Sequence, residues 1–136
     1  MQLKRMDVTV STHKLQQSRD FYIKNFGFQL VYESDWYVEL VSEMNPSAGI
    51  SFVLPQHEAG EKFNGQGIIV SFEVDDVDAE YARLQAAGVH ISEGLHEKPW
   101  GERAFLVNDP NGLHVYVYKL IPATPEYQKI YDSFRK

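Results

Sequence analysis

Side chains capable of ligand binding and proton transfer recur at every second position in three segments of the 136-residue chain. The set comprises Asp7, Thr9, Ser11, Ile69, Ser71, Glu73, His114, Tyr116 and Tyr118. Such alternation places the members of one segment on one face of a strand. An apolar surface with a few converging polar groups is typical of a small-molecule site. The simpler interpretation is the solvated face of an antiparallel sheet.

Proton transfer on this face would depend on His114, with Glu73 or Asp7 as the carboxylate that orients its ring. The alternative is a structural role, in which a neutral imidazole is hydrogen-bonded to a neighbouring Tyr or Glu. The candidate catalytic residues are therefore Glu73, His114 and Tyr116, although no nucleophile is evidently paired with a base.

Aromatic rings offer a second chemistry, because they bind planar or cationic ligands by stacking and cation–π contact. The rings expected to border the surface are Trp36, Phe52, Trp100, Phe105, Tyr116 and Tyr118. For Trp36 and Phe105 we favour a position in the core. Trp100 lies in a Lys-Pro-Trp-Gly loop, and a lid is the functional interpretation of that position. Arg103 could anchor a ligand carboxylate or pair structurally with Glu73 or Glu93.

Metal chemistry has little support in the pattern of histidines and cysteines. The histidines are His13, His57, His90, His96 and His114, and no two are spaced as ligands on one predicted element. The absence of cysteine excludes disulfides, thiolate catalysis and Cys-ligated metal sites. We therefore expect neither a native metal nor another cofactor.

The elements that must position these residues follow one order twice. Alternation predicts strands at 7–12, 28–33, 36–42, 49–55, 67–74, 89–94, 103–108 and 113–120. Helical periodicity predicts helices at 15–26 and from 75 to Gly88, and Gly27 and Gly88 follow as stop signals. The order is βαβββ in each half, with a polar loop at 56–66. An α+β fold follows, in which a curved mixed sheet carries one helix per half on its outer face. A third helix is predicted at 124–135.

Composition favours one globular domain spanning residues 1–136. Hydrophobic residues make up 43% and charged residues 24%, and the net charge is −6. An acidic chain is poorly suited to nucleic acid and better suited to a neutral or cationic small ligand. The N-terminal segment MQLKRMDVTV lacks the apolar run of a signal peptide, so we expect a cytoplasmic protein without membrane association.

Three segments resemble the vicinal oxygen chelate superfamily, which includes glyoxalase I, extradiol dioxygenases, fosfomycin-resistance enzymes and bleomycin-resistance proteins. They are MDVTVSTHKLQQSRDFYIKNFGFQL, VSFEVDDVDAEYARLQAAGV and PWGERAFLVNDPNGLHVYV. The resemblance covers nearly all of residues 5–120. It implies two βαβββ modules, at about 5–60 and 66–121, that close a half-barrel with the helices outside.

Enzymes of that superfamily hold a divalent metal with His, Gln or Glu side chains, and the resemblance places Asp7, Phe52, Ile69 and Tyr116 at the ligand positions. Ser51 is the alternative to Phe52. Phe52 and Ile69 have no donor atom, and a protonated phenol is a poor ligand, so only Asp7 could coordinate. The departure favours the metal-free branch of the superfamily.

The leading hypothesis is a metal-independent binding protein of the bleomycin-resistance type that holds a planar or cationic compound and confers antibiotic resistance. The alternative is a glyoxalase-like lyase or isomerase that uses acid–base chemistry alone. The predicted ligand-binding residues are Asp7, Phe52, Ile69, Ser71, Trp100, Arg103, His114, Tyr116 and Tyr118. We also expect a homodimer, because Tyr127, Ile130, Tyr131 and Phe134 form an apolar stripe on the third helix. That stripe could equally pack on its own chain.

Overall fold

The computed structural model describes residues 1–55 and 63–135, and within them the chain forms eight strands and three helices. The elements are β1 (Met6–Ser11), α1 (Leu15–Phe26), β2 (Phe28–Glu33), β3 (Tyr37–Ser42), β4 (Ala48–Val53), β5 (Ile69–Glu73), α2 (Val77–Ala86), β6 (Ile91–Lys98), β7 (Glu102–Asn108), β8 (His114–Leu120) and α3 (Pro125–Phe134). The predicted α+β class, the repeated βαβββ order and the C-terminal helix are confirmed. Most of the predicted loop at 56–66, with His57, lies outside the described residues.

The backbone divides into two compact units, each built on one four-stranded mixed sheet. The first unit is Met1–Gln66 with Asp109–Gly112, and the second is Gly67–Asn108 with Leu113–Lys136. The strand order is β1-β4-β3-β2 in the first sheet and β5-β8-β7-β6 in the second. In each sheet the first and fourth strands of the module pair in parallel, while the other pairs are antiparallel.

In the first unit, α1 covers one face of the first sheet. Its stripe of Leu15, Ser18 and Tyr22 is buried, as helical spacing predicts. The aromatic ring of Tyr22 lies 5.7 Å from that of Phe28 and 5.6 Å from that of Phe52. This face of the sheet is therefore the core of the unit.

Phe52 belongs to this core, and the prediction that it borders a ligand surface is wrong. The strand register pairs Phe52 with Val10 and Val38, and its side chain is completely buried. Its neighbour Ser51 pairs instead with Thr9 on the opposite face. Because strand side chains alternate, a shift of one residue exchanges the two faces.

The turn Asp109–Gly112 packs on α1 through buried polar contacts. The Tyr22 hydroxyl donates to Asp109 Oδ2 at 2.9 Å, and Asn111 Nδ2 donates to Ser18 Oγ at 2.9 Å. Burial and the adjacent Asp109 carboxylate raise the pKa of the Tyr22 phenol. The phenol is therefore a permanent donor to this turn.

In the second unit, α2 covers the corresponding face of the second sheet. The helix begins after Asp76, whose Oδ1 accepts from the Ala79 N–H at 3.0 Å, an N-cap that satisfies one of the first free donors. Val77 and Leu84 are buried against the sheet. The strand residues buried on this face include Phe105, Val107, Val115 and Val117.

Two local expectations differ from the structure. Trp36 is 51% exposed and precedes β3, so the favoured core position is wrong for Trp36 and confirmed for Phe105. β6 runs from Ile91 to Lys98, beyond the predicted end at 94, with register shifts on either side of Glu93. The irregular pairing removes the simple alternation from which strands are predicted.

α3 has no buried residue, and its side chains at Ile130 and Phe134 are 48% and 81% exposed. Proline occupies its first turn, after Thr124, as predicted from the sequence. None of the described helices has the length and apolar character needed to span a bilayer.

Candidate functional site

The face of the second sheet opposite α2, here called the open face, carries the polar and aromatic residues that the alternation predicted. Strand pairing joins Ile69 to His114, Ser71 to Tyr116 and Glu73 to Tyr118. Residues paired across neighbouring strands point to the same face. The pairing of β8 with β7 adds Asn108, Leu106, Ala104 and, opposite Leu120, Glu102.

Two stacked tyrosines form the centre of the open face. The rings of Tyr116 and Tyr118 lie 5.7 Å apart with planes inclined by 27°. The Tyr116 hydroxyl donates to Glu102 Oε1 at 2.9 Å, and the Tyr118 hydroxyl donates to Glu73 Oε1 at 3.5 Å. A carboxylate therefore flanks the phenolic end of each ring.

Glu102 is held by a second donor as well. The indole Nε1 of Trp100 donates to Glu102 Oε1 at 2.6 Å, so this oxygen accepts from both Trp100 and Tyr116. Both hydrogen bonds are charge-assisted, which makes them stronger than neutral ones. The other oxygen, Oε2, has no hydrogen-bond partner among the described residues, and it is the atom available to a ligand.

Both tyrosines remain protonated around neutral pH. Desolvation, followed by the hydrogen bond and charge of Glu102, raises the pKa of Tyr116. Desolvation and the charge of Glu73 raise the pKa of Tyr118. A phenol with a raised pKa is a hydrogen-bond donor and not a base. Tyr116 is therefore unsuited to abstract a proton or to bind a metal as phenolate.

The charge on the open face is negative and partly uncompensated. Glu93 lies within 3.2 Å of Lys98 Nζ and within 3.0 Å of His96 Nε2. Within residues 63–135, by contrast, neither Glu73 nor Glu102 forms an ion pair with a cationic side chain. Two carboxylates therefore face the aromatic surface without a neutralising partner.

The proposed pairing of His114 with a carboxylate is not formed in the second unit. His114 pairs along the strands with Ile69, whereas Glu73 lies at the other end of β5 and contacts Tyr118. The His114 Nδ1 atom is buried, and no hydrogen bond to it is found in the described part of the chain. The imidazole thus lacks the oriented carboxylate that a general base normally uses.

Arg103 lies on the wrong face to join this surface. Its guanidinium donates to Asp78 of α2 at 2.8 and 3.1 Å and lies 3.9 Å from Glu97. These replace the partners expected from the sequence, Glu73 and Glu93. Alternation explains the difference, because β7 directs Glu102 to the open face and the next residue to the helix side.

Asp7 is the remaining predicted ligand residue, and it lies in the first unit. Its Oδ1 accepts from Arg5 Nε at 2.7 Å, and the Arg5 Nη2 atom lies 2.6 Å from the same oxygen. Gly49 is paired with Asp7, and a Cβ on Gly49 would overlap both side chains of this ion pair. Arg5 is therefore paired with the one side chain that could coordinate a metal at the superfamily's ligand positions.

The residues at the superfamily's metal positions do not fit a divalent metal. Ile69 has no donor, Tyr116 is a phenol with a raised pKa, and Asp7 is bound to Arg5. Ser51, the alternative to Phe52 at the remaining ligand position, is buried and offers one hydroxyl. Across residues 1–55 and 63–135 no cluster of three or more His, Asp or Glu side chains could hold a metal.

A separate groove of 610 Å³ lies in the first unit beside the start of α1. Its lining comprises His13, Leu15, Gln16, Gln17, Arg19, Glu33, Ser34, Asp35, Val38 and Leu54. Arg19 is already paired with Asp20 and Glu33. The lining contains His13 but no Phe, Tyr or Trp ring, so the groove lacks the paired aromatic rings present in the second unit.

Glu102, which links Trp100 to Tyr116, is not among the site residues predicted from the sequence. The predicted strand began at residue 103, one position too late. Extension of that strand by one residue would have placed Glu102 on the same face as Ala104 and Leu106, opposite Tyr118 and Tyr116.

A family model described as Glyoxalase/Bleomycin resistance protein/Dioxygenase superfamily matches residues 6–117. No curated protein matches the sequence. Among solved structures, TnmS3, an antibiotic binding protein from Streptomyces sp. CB03234, is 23% identical, with 88% of this chain and 98% of that chain covered and a TM-score of 0.71.

Two further structures have the same fold. A member of the superfamily from Sphaerobacter thermophilus DSM 20745 is 24% identical, with 87% of this chain and 98% of that chain covered and a TM-score of 0.72. Lactoylglutathione lyase from Agrobacterium tumefaciens is 21% identical, with 84% of this chain and 91% of that chain covered and a TM-score of 0.66.

Proposed function

The chain belongs to the Glyoxalase/Bleomycin resistance protein/Dioxygenase superfamily, and we propose that it binds a planar organic cation without a metal. The open face of the second sheet is the proposed site. The observation that carries the proposal is the stacked pair Tyr116–Tyr118, flanked by the carboxylates of Glu102 and Glu73.

The chemistry of this surface suits a flat cation better than a neutral or anionic compound. Aromatic faces carry negative quadrupole charge and attract cations positioned over them. Glu73 and Glu102 add two formal negative charges, and the whole chain carries −6. The phenols stay neutral, so they contribute stacking area without a further charge that would need a counterion.

Metal independence is supported by the chemistry of the side chains at the superfamily's ligand positions. Ile69 supplies no lone pair, and the ion pair with Arg5 occupies Asp7. Recognition would therefore depend on stacking, on hydrogen bonds and on charge.

The class of ligand is supported by the relative from Streptomyces, which is described as an antibiotic binding protein. An antibiotic with fused rings and an amine would match the chemistry of the open face. We therefore place antibiotic sequestration, and resistance through it, within this proposal.

Catalysis receives less support. A lyase acting by acid–base chemistry would need a base, and Tyr116 is protonated while His114 lacks an orienting carboxylate in its unit. Formation of lactoylglutathione by chelator-treated protein would favour the enzymatic alternative, because one relative bears the name of that enzyme.

Isothermal titration calorimetry tests the proposal with two planar tricyclic probes that differ by one methyl group and one charge. N-methylacridinium is a permanent cation, whereas acridine is neutral at mildly alkaline pH. The attraction between a unit positive charge and a carboxylate about 4 Å away is about 1 kcal/mol in water and about 4 kcal/mol near a protein surface. We expect the cation to bind roughly tenfold more tightly or better. Equal affinities, or binding that requires added zinc or manganese, would contradict the proposal.

We also propose a homodimer. The apolar side chains of Ile130 and Phe134 on α3 are exposed, and a second copy could cover them. Light scattering should give a dimeric mass, and Ile130→Glu with Phe134→Glu should lower it. A monomeric mass for the wild-type protein would refute the dimer.

A further inference from the structure

Residues 99–101 form a turn beside the open face, here called the Trp100 turn. The segment that follows β8 is hydrogen-bonded to this turn. The Ile121 N–H donates to the carbonyl of Gly101 at 2.9 Å, and the Thr124 N–H donates to the carbonyl of Pro99 at 2.9 Å. Two backbone hydrogen bonds thus join the turn to the chain immediately before α3.

α3 adds two side-chain contacts to the same turn. The Tyr131 hydroxyl donates to the carbonyl of Trp100 at 2.7 Å. The ring of Tyr127, one helical turn earlier, meets the indole of Trp100 edge-on at 6.2 Å. Tyr127 and Tyr131 therefore lie on the face of α3 that meets this turn, and only the hydroxyl of Tyr131 forms a hydrogen bond there.

The fit between the turn and this segment is close. Gly101 is buried and has a φ of 104°, which residues with a side chain rarely adopt. A Cβ at Gly101 would lie 2.9 Å from the carbonyl oxygen of Ile121 and 3.3 Å from Ala123. The backbone can approach this closely only because residue 101 has no side chain.

The opposite side of the turn reaches the ligand-binding surface. Trp100 donates its indole N–H to Glu102 Oε1 at 2.6 Å, and Lys98 Nζ lies 5.5 Å from the centre of the indole ring. The indole therefore fixes the carboxylate that also accepts from Tyr116. A movement of the turn would move this carboxylate or leave it with one donor fewer.

We infer that Tyr131 is a positioning residue for the open face: its hydroxyl holds the Trp100 turn, and the turn holds Glu102. This inference rests on the proposed function, because it concerns how Glu102 is presented to a cation. In this arrangement Oε1 is occupied by two donors of the protein, and Oε2 stays available for the ligand. α3 thereby sets the affinity of a site that it does not itself line.

The variants Tyr131→Phe and Tyr127→Phe test the inference as a matched pair. Each removes one phenolic oxygen from α3 and keeps the ring, but among the contacts of the described residues only Tyr131→Phe removes a hydrogen bond. A Trp36→Phe background leaves Trp100 as the sole tryptophan of the two in the chain. The measurements are acrylamide quenching of Trp100 fluorescence and the Kd of N-methylacridinium by calorimetry.

We expect Tyr131→Phe to increase the quenching of Trp100 and to raise the Kd about two- to tenfold, the range for one lost hydrogen bond. Tyr127→Phe should change neither. Equal quenching in the two variants would overturn the inference, whatever the Kd values. If the parent protein binds no probe, the proposed function fails, and the quenching comparison alone still decides whether Tyr131 positions the Trp100 turn.

Discussion

Gly65 and Gly67 offer a test of how the Asp109–Gly112 turn is packed. Both have a φ of 84°, so an alanine at either position is forced into a region that side chains rarely adopt. A Cβ at Gly65 would lie 2.7 Å from the carbonyl oxygen of Gly112 and 2.9 Å from that of Asn111. A Cβ at Gly67 would meet nothing within 4 Å. Gly65→Ala therefore adds steric overlap with the turn to a strain that both variants share.

The expected loss of stability has a part that both variants share and a part that applies to Gly65→Ala alone. Left-handed backbone costs an alanine about 1–2 kcal/mol, and the lower entropy of the unfolded chain offsets about 0.4–1 kcal/mol. This net cost applies to both variants. Overpacking against a fixed backbone adds about 1–3 kcal/mol for Gly65→Ala alone. For a chain of this size, roughly 3–5 °C of Tm correspond to each kcal/mol.

Thermal unfolding followed by far-ultraviolet circular dichroism measures the difference. Gly67→Ala should lower the Tm by at most about 8 °C, and Gly65→Ala should lower it by about 3–15 °C more. Equal losses would refute the close packing of Gly65 on the turn. A larger loss for Gly67→Ala would show that the crowding lies elsewhere.

Two further predictions concern buried and surface polar pairs. Tyr22→Phe removes a donor from the buried Asp109 and should lower the free energy of unfolding by about 1–3 kcal/mol, measured by chemical denaturation. The control Tyr37→Phe should be nearly neutral, because the Tyr37 hydroxyl has no hydrogen bond in the described structure. Similar losses of stability in the two variants would contradict the buried contact. The hydrogen bond from Arg103 lowers the pKa of Asp78, so the stability from this pair is present above the ordinary carboxyl pKa and is lost as the pH falls through the lowered value. Asp78→Asn should therefore reduce the Tm slightly at neutral pH and not in strong acid, and a reduction that persists in acid would exclude the ion pair as its cause.

The sequence predicts the architecture well because the periodicity is strong in most elements. The helix at 15–26 has the bounds predicted from its apolar stripe and its following glycine. The strand β8 alternates large apolar residues with His114, Tyr116 and Tyr118, so its two faces can be assigned without a structure. β6 is the exception, because its pairing with β7 shifts register twice.

The site is less predictable because its key contact is not local. Tyr116 and Glu102 are 14 residues apart, and their hydrogen bond depends on the pairing of β7 with β8. Side-chain type alone cannot decide between Glu102 and Arg103 as the residue facing the ligand surface. A shift of one residue in the strand register decides which of the two side chains faces the ligand surface. The same rule places Phe52 in the core.

The role of α3 also escapes prediction from sequence. The apolar stripe of this helix indicates packing, but its partner depends on where the turn at Trp100 lies. In the structure Tyr127 and Tyr131 contact that turn, while Ile130 and Phe134 remain exposed. Periodicity identifies which face of a helix is apolar, but it does not identify the segment on which that face packs.

The affinity of Glu102→Gln for N-methylacridinium shows whether the charge of Glu102 holds a cation on the open face. Glutamine keeps an oxygen that accepts from Trp100 and Tyr116, so the substitution removes charge with little change of shape. The control is Glu97→Gln, which removes an equal charge from an exposed side chain on the other face of the second sheet. Glu102→Gln should bind the probe roughly tenfold more weakly, because it loses an attraction between two nearby charges of about 1.4 kcal/mol. Glu97→Gln should bind the probe as the wild-type protein does. Equal affinities of Glu102→Gln and the wild-type protein would contradict a cation site on the open face.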